Sequence, residues 1–286
     1  RLDWLSAVSG LDLAHFGTEA DEDTIRDTKI AQPLLVAAGL IATAQLAPDP
    51  AREAVRADAV TGHSVGEITA AVAAGVLSAE QAMVLVRERG NAMADAAAVM
   101  PTGMSAVLGG DRDEVLAAIA QCGLTPANDN GPGQIVAAGT TDQLAQFADQ
   151  APKGARVRPL SVAGAFHSPH MASAVDHVTG LARSVSVGDP HTPFLSNADG
   201  KPADNGRAAL EGIVGQIARP VRWDLCLETM VALGVTGILE LPPAGTLTGI
   251  AKRYFRGSEP AVETFALTGP DVVDEARDFC ARHADE

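Results

Sequence analysis

Cysteine, aromatic residues and positive charge are all scarce in this chain of 286 residues. Its three cysteines, Cys122, Cys226 and Cys280, lie far apart and form no Cys-x-x-Cys pair. This spacing argues against a disulfide framework and against a thiolate metal site, since both depend on paired cysteines. Aromatic residues make up only 3% of the chain, so the core must be built from small aliphatic side chains. We therefore expect reduced thiols and no metal.

Charge and apolar runs exclude further classes of protein. The chain has 21 lysines and arginines against 36 aspartates and glutamates, a formal net charge of −15. Phosphates would be repelled overall, which argues against nucleic-acid binding, and an acidic partner would need a local basic patch. We find no uninterrupted apolar run long enough for a bilayer and no basic-then-apolar signal at the N-terminus. These absences predict a cytoplasmic protein without a membrane partner.

The order of predicted strands and helices indicates an α/β protein. Apolar periodicity predicts one helix over Arg1–Phe16, and a proline-rich acidic loop at Pro48–Glu53 leads to a strand over 57–61. Alternating strands and helices over residues 1–102 and 165–286 predict a large, hydrolase-like domain whose mostly parallel sheet is covered by helices. Residues 103–164 follow the order β-α-β-β-α-β, which predicts a small ferredoxin-like domain inserted into the large one.

The hexapeptide Gly62-His63-Ser64-Val65-Gly66-Glu67 lies between a predicted strand and a predicted helix. A serine in such a sharp turn has an exposed hydroxyl, and its neighbours two before and two after must be small, as Gly62 and Gly66 are. The turn also places the Val65 amide at a helix N-terminus, where an oxyanion would develop during attack by Ser64. The pattern predicts nucleophilic acyl chemistry, although a serine that only caps the helix fits this hexapeptide equally well.

A serine nucleophile needs a base, and the chain has seven histidines. His63 is adjacent to Ser64 but points to the other side of the turn. His167 follows a predicted strand and precedes a helix, a position where loops at a sheet edge carry catalytic groups. By the residues alone His167 has only a small advantage over His170. Arg89 lies on the helix after the turn, where a solvated arginine is the simpler interpretation.

Five separated segments carry a resemblance to a known family. In chain order they are GHSVGE at 62–67, VRERGNAM at 86–93, ANDNGPGQ at 127–134, AFHS at 165–168 and QIARPVRW at 216–223. Their sequences, order and intervals resemble those of the malonyl-CoA:acyl carrier protein transacylases, and the likeness extends from Leu2 to beyond Arg253. Five motifs in register are far more specific than the hexapeptide alone.

The resemblance implies a role for each matching residue. Ser64 would accept the malonyl group as an ester, and His167 would be the general base and acid. Gln216 would orient the imidazole through its backbone carbonyl, which makes a Ser-His dyad without a carboxylate. Arg89 would bind the free malonyl carboxylate through a bidentate hydrogen bond that lysine cannot copy. Malonyl would pass from coenzyme A to Ser64, and then to the phosphopantetheine thiol of acyl carrier protein.

Further residues are implied with less detail. Met93, Phe166 and Asn128 match positions on the acyl and pantetheine side, and Phe166 and Val65 resemble a malonyl-selective pattern. The family uses no cofactor beyond its substrates and is monomeric. Its carrier is acidic, as is this chain, so electrostatics requires a basic docking surface. Our candidates for that surface are Lys252, Arg253 and Arg256, with Arg219 and Arg222. The helix dipole alone also favours cations near a helix C-terminus, so ordinary surface charges are the alternative interpretation of these residues.

The chain departs from the family pattern at two places. Family members begin with a strand and a Gly-Gln-Gly-x-Gln turn whose glutamine is the second oxyanion donor, whereas this sequence begins at Arg1 in the following helix. Loss of that donor would reduce turnover by on the order of 10²–10³. We expect the natural protein to carry the segment, because a sheet without an interior strand would expose apolar edges. Pro242-Pro243-Ala244-Gly245 stands where many members have a Gly-Pro-Gly turn.

Two alternative functions remain open beside the transacylase. A serine hydrolase or thioesterase would need an acidic triad member between Ser64 and the histidine, and none stands at a predicted strand end. It would also leave Arg89 and residues 103–164 unexplained. A non-catalytic carrier-binding protein would keep the basic candidates but would not need Ser64, His167 and Arg89 in register. The sequence therefore favours the transacylase.

Overall fold

The computed structural model describes residues 1–46 and 57–284, and the loop predicted at Pro48–Glu53 lies outside them. The chain begins with four helices: α1 (Leu2–Ser9), α2 (Leu13–Thr18), α3 (Glu22–Ile25) and α4 (Thr28–Leu46). The prediction of one helix over Arg1–Phe16 is wrong. Gly10 takes a left-handed φ of 70° and ends α1, and the Asp12 side chain then caps α2.

The segment around Ser64 lies between a β-bridge and two helices. The strand predicted over 57–61 is reduced to a single parallel bridge, in which Val60 pairs with Phe194. After the turn come α5 (Gly66–Ala73) and α6 (Ala79–Ala97). A capping box between Ser78 and Gln81 begins α6. Buried aliphatic side chains of α4, α5 and α6 pack together in the largest core cluster, and Val65 of the turn packs against it.

Helix α4 is long and apolar enough to cross a membrane by length and composition alone, a feature that the search for uninterrupted apolar runs missed. Its apolar face is buried in the protein, with Val36, Ala37 and Leu40 nearly inaccessible. The helix packs on α5 and α6. Core packing therefore accounts for this composition, because a core helix passes the same test as a membrane span.

Residues 102–159 form most of a five-stranded sheet. Its elements are β1 (Thr102–Gly109), α7 (Arg112–Gln121), β2 (Thr125–Asp129), β3 (Gln134–Thr140), α8 (Thr141–Asp149) and β4 (Ala155–Pro159). The strand order is β4-β1-β3-β2-β5, where β5 is Val221–Arg222. Neighbours among β1 to β4 are antiparallel, whereas β2 and β5 are parallel. The β2–β5 pairing ties this unit to the rest of the chain.

The remaining elements complete the α/β architecture. They are α9 (Ala172–Ala182), α10 (Gly206–Gly215), α11 (Trp223–Ala232), β6 (Gly237–Glu240), α12 (Thr246–Tyr254), β7 (Glu263–Ala266) and α13 (Val273–Ala284). Strands β6 and β7 form a separate parallel pair. The α/β class is confirmed, with a mixed five-stranded sheet: the pairings among β1 to β4 are antiparallel, whereas β2–β5 is parallel, as is the separate β6–β7 pair. The motif at 216–223 contributes β5 to the sheet directly before α11 begins at Trp223.

Candidate active site

Ser64 sits in a strained turn at the start of α5. Its φ of 53° lies in the left-handed region, which non-glycine residues rarely adopt. A Cβ on Gly62 would lie 2.0 Å from the carbonyl carbon of Gly66, so position 62 requires glycine. The expectation for Gly66 itself is wrong, because a Cβ there would meet nothing within 4 Å. The Ser64 N–H donates to Asn197 Oδ1 at 2.9 Å, which fixes the backbone of the turn.

The Ser64 hydroxyl faces the imidazole of His167. Ser64 Oγ and His167 Nε2 are 2.7 Å apart, and His167 Nδ1 is 2.7 Å from the backbone oxygen of Gln216. A carbonyl can only accept, so Nδ1 carries the proton and Nε2 accepts from the hydroxyl. His167 also has a positive φ of 58°, and its N–H donates to Ile217 O. Two strained residues therefore meet at this one hydrogen bond.

The imidazole is held in its neutral form. Burial, together with the nearby positive charge of Arg89, lowers the pKa of His167 to about 3, against the stabilising carbonyl of Gln216. A neutral imidazole at ordinary pH can accept the Ser64 proton. The partner of Nδ1 is a backbone carbonyl, where a serine hydrolase triad would have a carboxylate.

This pKa shift predicts a pH-dependent stability. Between pH 3 and 6.5 the unfolded chain binds a proton at His167 that the folded protein does not bind. The free energy of unfolding should therefore rise with pH across this window and level off above it. We expect the difference between the parent and a His167→Gln variant, measured by urea unfolding from pH 4 to 8, to follow that curve. A difference independent of pH would mean that His167 titrates normally in the folded protein.

Arg89 projects from the middle of α6 into the site and is only 1% exposed. Its Nη2 donates to Gln216 Oε1 at 2.8 Å and to Ser64 Oγ at 3.2 Å, and its Nη1 donates to Gln32 Oε1. Burial lowers its pKa to about 10, so the guanidinium stays protonated at neutral pH. Among residues 1–46 and 57–284, no carboxylate forms an ion pair with it, and its buried Nε has no partner.

These groups share one cavity of about 200 Å³. Its wall includes Arg26, Thr28, Ala31, Gln32, Ser64, Val65, Arg89, Met93, Val162, Ala163, Phe166 and His167. The structure thus brings together six of the predicted residues: Ser64, Val65, Arg89, Met93, Phe166 and His167. Within the described residues the Val65 N–H has no hydrogen-bond acceptor. Asn128 is buried on β2 and does not line the cavity.

Three buried polar side chains of the site were missed by sequence reasoning. Gln32 accepts from Arg89 and packs its amide against the sulfur of Met93. Asn197 holds the Ser64 amide, and Glu67 accepts from the Asn197 N–H and from the Gln216 amide. Glu67 belongs to the hexapeptide, so its position was visible, but the partners of its carboxylate lie 130 and 149 residues away.

The other candidates lie outside the cavity wall. His63 Nε2 is 2.9 Å from Asn130 Oδ1, away from the Ser64 hydroxyl. Of the basic candidates, Lys252, Arg253 and Arg256 are exposed at the end of α12, and Arg253 donates to Gln134 Oε1 at 2.7 Å. Arg222 is engaged by both oxygens of Asp224, so its charge is largely compensated.

The class that this fold and site define is the acyl transferases, since a family model described as acyl transferase domain matches residues 3–282. A malonyl CoA-acyl carrier protein transacylase of Mycobacterium tuberculosis is 50% identical over 273 residues, covering 94% of this chain and 88% of that protein. Within the acyl transferase family, the chain belongs to the malonyl CoA-acyl carrier protein transacylases. The resemblance seen in the sequence is thereby confirmed.

Solved structures agree with this assignment. The crystal structure of MCAT from Mycobacterium tuberculosis matches with a TM-score of 0.90 and 48% identity, over 96% of this chain and 90% of that one. A second match is a malonyl-transacylase in complex with its type II PKS acyl-carrier protein. It has a TM-score of 0.89 and 28% identity, over 97% of this chain and 89% of that one.

Proposed function

We propose that this protein transfers a malonyl group from coenzyme A to the phosphopantetheine thiol of acyl carrier protein through an ester on Ser64. The observation that carries the proposal is the buried Arg89 guanidinium, which has no carboxylate partner among the described residues and donates to Ser64 Oγ at 3.2 Å. A buried cation without a counter-charge is costly, so the site favours a substrate that brings an anion. The names of the relatives support the same reaction.

The first half-reaction forms the ester. His167 Nε2 accepts the hydroxyl proton while Ser64 Oγ attacks the thioester carbonyl of malonyl-CoA. The oxygen of the tetrahedral intermediate accepts a hydrogen bond from the Val65 N–H at the start of α5, where the helix dipole also favours negative charge. The C–S bond then breaks, and the His167 proton goes to the departing thiol. The second half-reaction runs the same steps in reverse with the carrier's thiol.

Arg89 has enough free N–H donors to bind the carboxylate of a malonyl group attached to Ser64. A guanidinium has five N–H groups, of which three are engaged by Gln32, Gln216 and Ser64. Acylation converts the Ser64 oxygen into an ester oxygen, a weaker acceptor, and so releases one Nη2–H. That donor and the free Nη1–H form the fork that binds a carboxylate with two parallel hydrogen bonds.

The other residues of the cavity wall would select acyl groups by size. Phe166 and Met93 border the cavity beside Arg89 and Ser64, where they limit substitution on the malonyl carbon. The aliphatic Val65 adds to the same limit. We assign Asn128 to the pantetheine side only by the resemblance, because it is buried and does not line the cavity.

The carrier would dock on the basic end of α12. Lys252, Arg253 and Arg256 are exposed there in a chain with a net charge of −15. The Arg253 contact with Gln134 brings this surface to the start of β3. An acidic carrier would be steered by these cations. No cofactor is needed, and a cytoplasmic monomer remains our prediction.

We also propose the division of the chain into two domains and the fold of each. Strands β1 to β4 have the order and antiparallel pairing of a ferredoxin-like unit, which supports an inserted small domain at 103–164. The parallel Val60–Phe194 bridge supports a hydrolase-like parallel sheet in the large domain, residues 1–102 and 165–286.

Intact-mass spectrometry tests the function directly. The protein mixed with malonyl-CoA should gain one malonyl group, and adding acyl carrier protein that bears phosphopantetheine should move that group to the carrier. A carrier without phosphopantetheine is the matched control and should gain nothing. Release of malonate without transfer would indicate a thioesterase. Neither adduct nor turnover in a folded protein that still binds the carrier would indicate a non-catalytic homologue.

A further inference from the structure

Glu67 is a buried carboxyl group to which the reaction assigns no part. It lies in the first turn of α5, three residues after Ser64, and is only 1% exposed. Its side chain does not line the cavity. A buried carboxylate is costly unless its oxygens are hydrogen-bonded. Here Oε1 accepts from the Asn197 N–H at 2.6 Å, and Oε2 accepts from Gln216 Nε2 at 2.6 Å.

Glu67 is one of three acceptors that determine which way the Gln216 amide points, and its contact is the shortest. Gln216 Nε2 is surrounded by acceptors: Glu67 Oε2, Ser64 O at 3.0 Å and Asn197 Oδ1 at 3.1 Å. An NH2 group must face these acceptors, so the amide oxygen faces the other way. There it accepts from Arg89 Nη2 at 2.8 Å. The Gln216 amide is therefore aligned between the Glu67 carboxyl group and the Arg89 guanidinium.

The same alignment connects two buried ionisable groups, Glu67 and Arg89, without a direct contact between them. Burial raises the pKa of Glu67 to about 8, and the Asn197 amide, the Arg89 charge and the Gln216 amide each oppose that rise. The charge of Glu67 in turn raises the pKa of Arg89. A carboxylate in direct contact with the guanidinium would compete with the carboxylate of the substrate. With the amide interposed, Glu67 stabilises Arg89 and leaves the fork of Nη1 and Nη2 available.

We propose that Glu67 is a positioning residue that acts through the Gln216 amide to hold the Arg89 guanidinium ready for a carboxylate-bearing acyl group. This inference rests on the proposed function and deepens it, because it assigns part of the malonyl selectivity to a residue outside the cavity. Glu67 touches no reacting atom. It sets the direction of one hydrogen bond to the residue that does bind the substrate.

The test is a Glu67→Gln variant, which changes hydrogen bonding with almost no change in shape. The new amide must still accept from the Asn197 N–H, so its NH2 faces the NH2 of Gln216. Two donors cannot pair, so the Gln216 amide loses its contact with residue 67 and is held only by Ser64 O and Asn197 Oδ1, which loosens the alignment of its oxygen on Arg89. We expect the ratio of kcat/KM for malonyl-CoA to kcat/KM for acetyl-CoA to fall about 10- to 100-fold, as for loss of one hydrogen bond to a charged group.

The ratio separates positioning from a purely structural role. Both substrates are measured on the same preparation, so a reduced folded fraction cancels. The matched control is Glu240→Gln. Glu240 is likewise buried, and it accepts from three backbone N–H groups at the start of α12. Its loss should lower thermal stability and leave the ratio unchanged. Glu67→Asp, which keeps an acceptor-only group, should recover most of the ratio.

The outcomes distinguish this inference from the proposed function. If the parent forms no malonyl adduct, the proposed function fails. If the parent prefers malonyl-CoA and Glu67→Gln keeps the parental ratio, only the positioning role is wrong. If neither variant at position 67 yields folded protein, Glu67 acts in folding, and the positioning role is likewise overturned.

Discussion

A Ser64→Ala variant mixed with malonyl-CoA is expected to show no malonyl adduct and to lose roughly 10⁶ in kcat for transfer, as when a serine nucleophile of another enzyme is removed. The reason is that Ser64 Oγ is the oxygen 2.7 Å from His167 Nε2 in the cavity. Alanine removes that oxygen and leaves the base without a proton to accept. Intact-mass spectrometry and a carrier-acylation assay measure the two effects.

The control for this variant concerns the strained backbone. Ser64 has a φ of 53°, and alanine at the same φ has a similar strain, so the fold should be retained. The circular dichroism spectrum and melting temperature of Ser64→Ala should therefore stay close to those of the parent. A malonyl adduct that persists on the folded variant would contradict Ser64 as the nucleophile.

The second large effect is expected from Arg89→Met, which replaces the guanidinium side chain with an apolar one. The kcat/KM for malonyl-CoA should fall about 10²- to 10⁴-fold, the range for removal of one partner of a desolvated charge pair. Acetyl-CoA has no carboxylate for the fork to bind, so its kcat/KM should change far less. Stopped-flow measurement of acylation with both thioesters gives the comparison.

Arg89→Lys is the matched control for this change. Lysine keeps the charge on α6 but has no planar fork, so it can form at most part of the bidentate contact. We expect its malonyl kcat/KM to lie between those of the parent and Arg89→Met. Equal losses for malonyl-CoA and acetyl-CoA in Arg89→Met would show that Arg89 maintains the site and does not recognise the carboxylate.

Arg89 also shows how much of the site could be predicted from the sequence. Position 89 on a helix predicts a solvated side chain, and only the motif around it pointed to the site. In the structure Arg89 is one of the largest fully buried side chains. Its guanidinium donates hydrogen bonds to Gln32 and Gln216, which belong to other parts of the chain. No local pattern predicts those contacts, because their partners lie 57 and 127 residues away.

The basic surface and Asn128 remain weaker assignments for a related reason. A motif identifies a residue's position along the chain but not which face of its strand or helix meets the cavity. Asn128 pairs across the sheet with Val221 and, although buried, does not line the cavity. Arg222 has a sequence neighbour, Asp224, that compensates its charge. Both were named from sequence position alone.

The sequence by itself determined those features that depend on neighbouring residues and on the five motifs. Adjacent residues define the turn at Ser64, the capped start of α6 and the family, because backbone sterics and capping act over a few positions. The motifs favoured His167 over His170, whereas tertiary structure alone decided that Gly66 is not crowded and that Glu67 contacts the Gln216 amide. These features depend on distances and hydrogen-bond directions between groups that are remote in the chain, and only folding sets them.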